Sequence, residues 1–325
     1  MRNIGKISET VLKRSVIKPI RQSKTGVDEG VSVGADCAFF VHNCTLSVAQ
    51  ISYNDRKACE HVIIQACNNL WAGGAKPGYI SLSISMPDSY REIKLKEIMN
   101  QACKTAEMLD VRIAAGHTEY VGGLRYPIIV VNAYGEKVAS DRMQQKAGEE
   151  YDIVMTKWIG LSGASLLATE KEEECKKKLP EYYVKEAASY DRFMSIATEA
   201  AVAVKSEGTI AMHDVAGGGI YTALWEMGEK LGLGCRVLLK DIPVLQEVVE
   251  ICEVFDINPY RLRGDGALLI ATSQADKLTE ALHNEDIPAC VIGKMTACID
   301  RVIIREDETR FLEPANGDDI IKVMW

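Results

Sequence analysis

The sequence predicts an α+β first domain followed by an α/β second domain, and three observations predict it. The 325-residue chain is 47% hydrophobic and 26% charged, the balance of an ordinary globular protein long enough to bury two cores. From Val31 to about Gly148 the pattern reads β-β-α-β-α-β-β, too strand-rich and irregular for a repeating βα fold. Beyond Tyr151 strands and helices alternate one by one, as α/β domains require. The expected organisation is a basic arm over 1–30, a first domain over 31–148 and a second over 149–325.

The arm has helical spacing around Ile7, Val11 and Leu12, and residues 1–27 hold seven basic side chains against one acid, Glu9. Such a segment is either a solvated arm or one that reaches an anionic ligand or a partner subunit. VSVGADCAFFVH and TLSVAQIS are rich in β-branched and aromatic residues and are split by Asn43, a turn signal. Residues 56–72 place Ala58, Val62, Ala66 and Leu70 at helical spacing and stop at Gly73-Gly74. GYISLSISM alternates as a strand, 90–109 is an amphipathic helix, and VRIAAG and YPIIVVNAYG are strands.

YDIVMTKW opens the second half as a strand, followed by Gly160-Leu-Ser-Gly163 and a helix running into EKEEECKKK. There Glu172–Lys176, Glu173–Lys177 and Glu174–Lys178 are i,i+4 pairs in the favourable order, the mark of a solvated helix face. Pro180 ends that helix, and 182–206 is predicted as one long helix. TIAMHD, CRVLL, ALLIAT and ACVIG follow as strands, alternating with helices near 220–231, 244–254 and 275–283.

The net charge of −8 divides unevenly, +3 over residues 1–150 and −11 over 151–325. An acidic whole argues against nucleic-acid binding, which needs a basic surface. No apolar run approaches the ~18 residues of a membrane span, and the N-terminal stretch lacks the apolar core of a secretory signal. A cytoplasmic protein is expected. Its ten cysteines contain no CxxC pair, and the shortest separation is Cys37 to Cys44. Reduced thiols packed as small hydrophobes are therefore expected rather than disulfides or zinc.

Four places can carry chemistry. In MHDVAGGGIYTALWEM a strand ends at His213-Asp214 and a helix starts after Gly217, Gly218 and Gly219. Backbone amides of such a turn can meet an anion, and the same turn serves equally as a tight connection without ligand. Lys157, at a strand end before another glycine turn, is either an exposed lysine or a phosphate contact. Asp36 follows a glycine among apolar residues, a costly place for a carboxylate unless it faces a ligand, a metal or a cation. In AAGHTEYVGG an extended backbone puts His117 and Glu119 on one face, as a metal or proton-transfer pair or as a plain surface pair.

Read in order, GKISETVLKR, VGADCAFF, QACNNLWAGGAKPGYISLSI, AAGHTEYVGG, DIVMTKWIGLSG, MHDVAGGGIYTALWEM and RLRGDGALLIAT resemble the aminoimidazole ribonucleotide (AIR) synthetase superfamily. That superfamily includes the hydrogenase-maturation protein HypE, thiamine monophosphate kinase and selenophosphate synthetase. The resemblance spans nearly the whole chain and is strong towards HypE-like AIR synthase-related proteins. It implies an AIR synthase N-terminal-like domain whose sheet pairs with its dimer mate into a β-barrel, then an AIR synthase C-terminal-like α/β domain. It also implies a homodimer with ATP bound between the domains and an oxygen phosphorylated in the reaction.

Family members hold Mg²⁺ against the ATP phosphates with aspartates in GDDAA, TTD, NDL and GDT motifs. The matching segments here are Gly34-Ala35-Asp36-Cys37, Thr45-Leu46-Ser47, Asn68-Asn69-Leu70 and Gly116-His117-Thr118, so Ala35, Ser47, Asn69 and His117 stand in place of aspartates. The resemblance then implies that Lys6 and Gly217–Gly219 cradle phosphates, that Lys157 meets one, and that Asn68 and Asn69 lie at the nucleotide. It gives Asp36, His117 and Glu119 the metal. Asp265, in a Gly-Asp-Gly where HypE has a glutamate, becomes a candidate base beside His117 as a second catalytic group. HypE ends in a Pro-Arg-Ile-Cys tail, whereas this sequence ends Lys322-Val-Met-Trp325 with Cys298 as its last cysteine, so HypE's own carbamoyl dehydration is not expected. Two functions follow: ATP-dependent activation of a small substrate, or a catalytically lapsed relative that binds a phosphorylated ligand or a partner without turnover.

Overall fold

The chain is described by a computed structural model over residues 8–23, 32–39, 44–139, 150–306, 308–314 and 317–324. The arm is helical for longer than its apolar spacing predicts. Helix α1 (Glu9–Leu12) runs through a π turn over Lys13–Ile17 into α2 (Lys18–Ser23). Later residues hold it in place: Trp225 Nε1 donates to Glu9 at 2.6 Å and Lys13 Nζ to Glu229 at 2.9 Å.

The first sheet comprises β1 (Ala38–Phe39), β2 (Cys44–Ile51), β3 (Ala75–Pro87), β4 (Arg112–Val121) and β5 (Ile128–Lys137), in the order β1-β2-β5-β3-β4. Two helices, α3 (Ala58–Ala72) and α4 (Glu92–Met108), connect its strands. Alternation sets the faces. Ile80, Leu82, Ile84 and Met86 of β3 and Ile129, Val131 and Ala133 of β5 form one core with Val62, Ile63, Ala66 and Leu70 of α3. The opposite face leaves Val48, Tyr79 and Tyr134 exposed. Among the described strands β4 pairs only with β3, in parallel, and is exposed from Arg112 to Tyr120.

The second unit opens with β6 (Tyr151–Thr156), α5 (Leu161–Glu170), α6 (Glu172–Lys176), α7 (Glu181–Ala188) and α8 (Ala197–Lys205). It continues with β7 (Thr209–Asp214), α9 (Gly219–Leu231), β8 (Gly234–Leu238), α10 (Gln246–Phe255), β9 (Leu268–Thr272), α11 (Ala275–His283) and β10 (Ala289–Thr296). A hairpin of β11 (Arg301–Arg305) and β12 (Glu308–Phe311) and a short α12 (Ile321–Met324) complete it. The sheet order is β12-β11-β8-β10-β6-β9-β7, antiparallel except where β11 runs beside β8. Both faces are covered, as the continuous apolar run of β6 requires. Ile153 and Met155 pack with Ile220, Leu224 and Met227 of α9. Val154 points the other way, with Met212 and Ile270, against Ala200 of α8 and Leu278 of α11.

The helix predicted over 182–206 is not continuous. It breaks after Ala188 into a 3₁₀ turn at Tyr190–Phe193 and resumes at Ala197. Side chains from elsewhere satisfy the backbone groups that the break frees. Lys157 Nζ donates to the Phe193 and Ser195 carbonyls, both at 2.8 Å, and Asn68 binds the Met194 carbonyl and the Ile196 amide at 2.7 and 3.1 Å. On α6 the Glu172–Lys176 pair forms at 2.7 Å, while Lys178 turns instead to the Val254 carbonyl at 2.8 Å. All ten cysteines are free thiols, and burial pushes those of Cys59, Cys67 and Cys252 up to about 12. No helix among the described residues is long and apolar enough to cross a membrane.

Candidate functional site

Asp36 meets the second unit at the end of β7. Gly34, two residues before it, has φ +76° and lies so close to α9 that a Cβ would run into the Glu226 carbonyl. Glycine is required there both for the left-handed backbone and for the approach. The approach delivers the Asp36 side chain, 5% exposed, to His213 on β7 and Lys230 on α9. Asp36 Oδ1 lies 2.8 Å from His213 Nδ1, and Oδ2 accepts from Lys230 Nζ at 2.9 Å. Lys230 also donates to the Met212 carbonyl at 3.2 Å, and His213 Nε2 lies 3.3 Å from Glu226. Glu226 and Lys230 reach the same place because residues four apart share a helix face.

This cluster is buried, so its charges are strongly coupled. Burial works to raise the Asp36 carboxyl, but the His213 and Lys230 cations outweigh it and hold the group at about 2. Burial works to lower His213, but Asp36 and Glu226 push the imidazole up to about 10, keeping it charged at neutral pH. Asp214, next in sequence, is pushed up to about 7 by its own burial and then by the Asp36 carboxylate. Its Oδ2 is buried without a hydrogen-bond partner.

Asp36, His213 and Asp214 are the group among the described residues whose donor atoms all lie within 4.8 Å of one another. The expected trio of Asp36, His117 and Glu119 does not gather. His117 and Glu119 do share a face, as the extended spacing predicts, but on the exposed edge strand β4, 3.8 Å from each other. Mg²⁺ prefers anionic oxygens, and the gathered set does not fit it. One carboxylate is already bound by an ammonium and an imidazolium, and the third donor is nitrogen. A borderline ion that accepts mixed N and O donors suits the set better once the imidazole loses its proton.

The other expected site residues have internal partners. Lys157 is buried, with φ +53°, and its Nζ pairs with Glu199 besides the two carbonyls already named. Asn68 uses both ends of its amide on the 194–196 turn, and Asn69 lies half-buried on α3. Ser47 donates to the Ala66 carbonyl at 2.6 Å. Gly218 and Gly219 both take positive φ at the start of α9, but the Asp318 carboxylate stands beside the turn, its Oδ2 3.7 Å from where a Cβ on Gly217 would lie. That carboxylate accepts from the Arg263 and Ile320 amides at 3.2 and 3.1 Å. A built-in anion therefore stands at the turn expected to cradle a phosphate. The Asp265 side chain is 1% exposed; its Oδ2 accepts from Arg263 Nε at 3.0 Å and from the Ser162 hydroxyl at 2.5 Å. Oδ2 thus anchors the 263–265 turn, while Oδ1 is buried without a hydrogen-bond partner. Lys6 lies outside the described residues.

Sequence reasoning missed Lys230 and Glu226 and left His213-Asp214 as a strand end. The available signal was the Glu226–Lys230 spacing on the helix that follows MHD.

Residues 26–136 match the family model described as AIR synthase related protein, N-terminal domain, and residues 149–304 match its C-terminal domain. The carbamoyl dehydratase HypE of Rhodobacter capsulatus is 25% identical over 237 residues, 71% of this chain and 67% of that protein. A putative hydrogenase expression/formation protein of Methanocaldococcus jannaschii is 26% identical over 265 residues, 79% of this chain and 76% of that protein. The crystal structure of hydrogenase maturation protein HypE in complex with ATP superposes with a TM-score of 0.71, covering 98% of each chain at 17% identity. With the family's two domains matched in order over most of its length, the chain belongs to the AIR synthase-related proteins.

Proposed function

We propose that this protein binds ATP or another phosphorylated ligand at the seam where Asp36 meets β7, and that it does so as a homodimer. One observation carries the reading: the Asp214 carboxylate is buried at that seam with an oxygen left unpartnered. A buried anion in that state calls for a proton, a cation or a donor from a ligand. The HypE neighbour solved with ATP supports the choice of ligand. Two outcomes follow for turnover. The first is HypE-like activation of a substrate oxygen by phosphoryl transfer. The second, binding without Mg²⁺-dependent turnover, is favoured by Lys230, whose ammonium already neutralises the one family aspartate retained here.

Thermal melting with ATP, combined with ADP release in Mg²⁺ or Mn²⁺, separates these outcomes. ATP at a hundred times its Kd adds about 2.7 kcal/mol and so raises Tm by several degrees. Asp214→Asn, which keeps the shape and removes the charge, is expected to change that shift by at least half while the unliganded Tm holds or rises. Absence of any shift with ATP, ADP or AMP would sink the binding reading. Metal-dependent ADP release that is lost in Asp214→Asn would sink the reading without turnover.

The open sheet face supports the homodimer. Val48 and Tyr134 are 55% and 36% exposed on one face of the sheet, whose edge strand β4 has no second neighbour among the described residues. Unpaired edges and apolar faces of this kind are normally covered. Sedimentation velocity at micromolar concentration is expected to show a dimer, and Val48→Asp/Tyr134→Asp a folded monomer. A wild-type monomer would contradict the proposal.

A further inference from the structure

We propose that the C-terminal domain holds a second ligand pocket, built for a small phosphorylated or similarly anionic molecule that carries a flat ring. A cavity of about 400 Å³ opens between the first turn of α9, the 258–261 segment and the β11–β12 hairpin. That volume is in the range of small-molecule sites. The pocket shares no residue with the Asp36 cluster.

Charge and shape both indicate the ligand. Arg261, Arg305 and Arg310 line the cavity, against one acid, Glu313, among its described lining residues. Arg310 is held by Glu308 at 2.9 and 3.0 Å, and Arg261 lies 3.8 Å from Asp319. The Arg305 side chain makes no hydrogen bond or ion pair with the described residues. An unpaired guanidinium facing a cavity presents the planar fork that phosphate oxygens match. The Asp318 carboxylate already stands beside the helix start, so the anion contact falls to the arginines. The flat surface comes from Tyr221 and Tyr260, stacked with centroids 5.5 Å apart and 9° between their planes. Phe311, 70% exposed, stands at the mouth. A planar ring can extend that stack or lie against Phe311 while its anionic group reaches Arg305.

Most of the hairpin wall, from Arg305 onward, lies past residue 304, where the family match ends. The rest of the lining, from Gly218 to Ile303, lies within the matched C-terminal domain.

Calorimetric titration of the full chain with phenyl phosphate, inorganic phosphate and phenol tests the proposal, each in the absence and presence of saturating ATP. Phenyl phosphate is expected to bind at least tenfold more tightly than either fragment, unchanged by ATP. Arg305→Glu is expected to weaken it by about tenfold or more, the cost of losing a charge-assisted contact. Arg305 is exposed, so its variant is expected to melt with the wild type. Tyr260→Ala is expected to reduce phenyl phosphate to the affinity of inorganic phosphate. The proposal is overturned by no wild-type binding at millimolar phenyl phosphate, by displacement with ATP, by phenol binding equally well, or by equal affinity in Arg305→Glu. Because the ATP arm is read separately, failure here and failure of ATP binding are distinguishable.

Discussion

Replacing Asp36 with Ala is expected to destabilise the fold by about 3–5 kcal/mol near pH 5.5, the usual cost of removing one partner from a buried charge cluster. The variant leaves the Lys230 ammonium and the His213 imidazolium buried, with Glu226 3.3 Å from His213 and Asp214 acting on Lys230 as the remaining carboxylates of the cluster. Asp36→Asn keeps the shape without the charge and should fall between variant and wild type. The pH dependence has a defined sign. Asp36 is held at about 2 in the fold, below its ordinary 3.8, so its contribution is complete above pH 3.8 and is lost as pH falls through 2. His213 is held at about 10, above its ordinary 6.5, so its contribution is complete below pH 6.5 and is lost as pH rises through 10. The gap between wild type and Asp36→Ala should therefore be widest between about pH 4 and 6.5 and narrow on either side. Urea unfolding at pH 3, 5.5 and 9 measures it. A gap below about 1 kcal/mol at pH 5.5, against the cost of a broken buried pair, would mean that the cluster is not a buried ion-pair network.

Much of the fold was legible because periodicity records burial. Alternation in GYISLSISM located β3, and the Ala58–Leu70 spacing located α3 within two residues of its ends. The break after Ala188 was not legible, because its causes are the Lys157 and Asn68 side chains, which lie far away in sequence. The β11–β12 hairpin was missed for a different reason. Its apolar run is short, and β12 is exposed along its whole length, so there was no buried face to imprint a pattern. At the site, Asp36 reads as a carboxylate that must face a ligand, a metal or a cation, and the structure sets it against His213 and Lys230. Its partners were not legible, because pairing it with His117 and Glu119 assumed the family arrangement, whereas Gly34 docks the loop on α9.

Lys157 is tied to buried partners, and its replacement is the second large effect. Lys157→Ala is expected to cost about 3–5 kcal/mol, because Glu199, 3% exposed in its side chain, is left as an uncompensated buried anion. The carbonyls of Phe193 and Ser195 lose their donor as well. Burial lowers the Lys157 ammonium while Glu199 opposes the fall. In Glu199→Ala that opposition is gone, the amine can shed its proton, and the loss should be smaller than for Lys157→Ala. The double variant Lys157→Met/Glu199→Leu removes both charges and keeps the volume. It should retain at least 2 kcal/mol more stability than the sum of the two single losses, the coupling expected of contacting buried charges. A phosphate-binding lysine behaves oppositely. Its loss weakens ligand binding and leaves the unliganded fold within about 1 kcal/mol, as surface substitutions do. Denaturant unfolding of the four proteins, read beside their ATP melting shifts, therefore decides between the two roles. Lys157 takes φ +53°, and the internal partners met by its Nζ favour the structural role. A non-glycine residue in the left-handed region costs about 1–2 kcal/mol, a strain tolerated here where the side chain satisfies three buried acceptors at once.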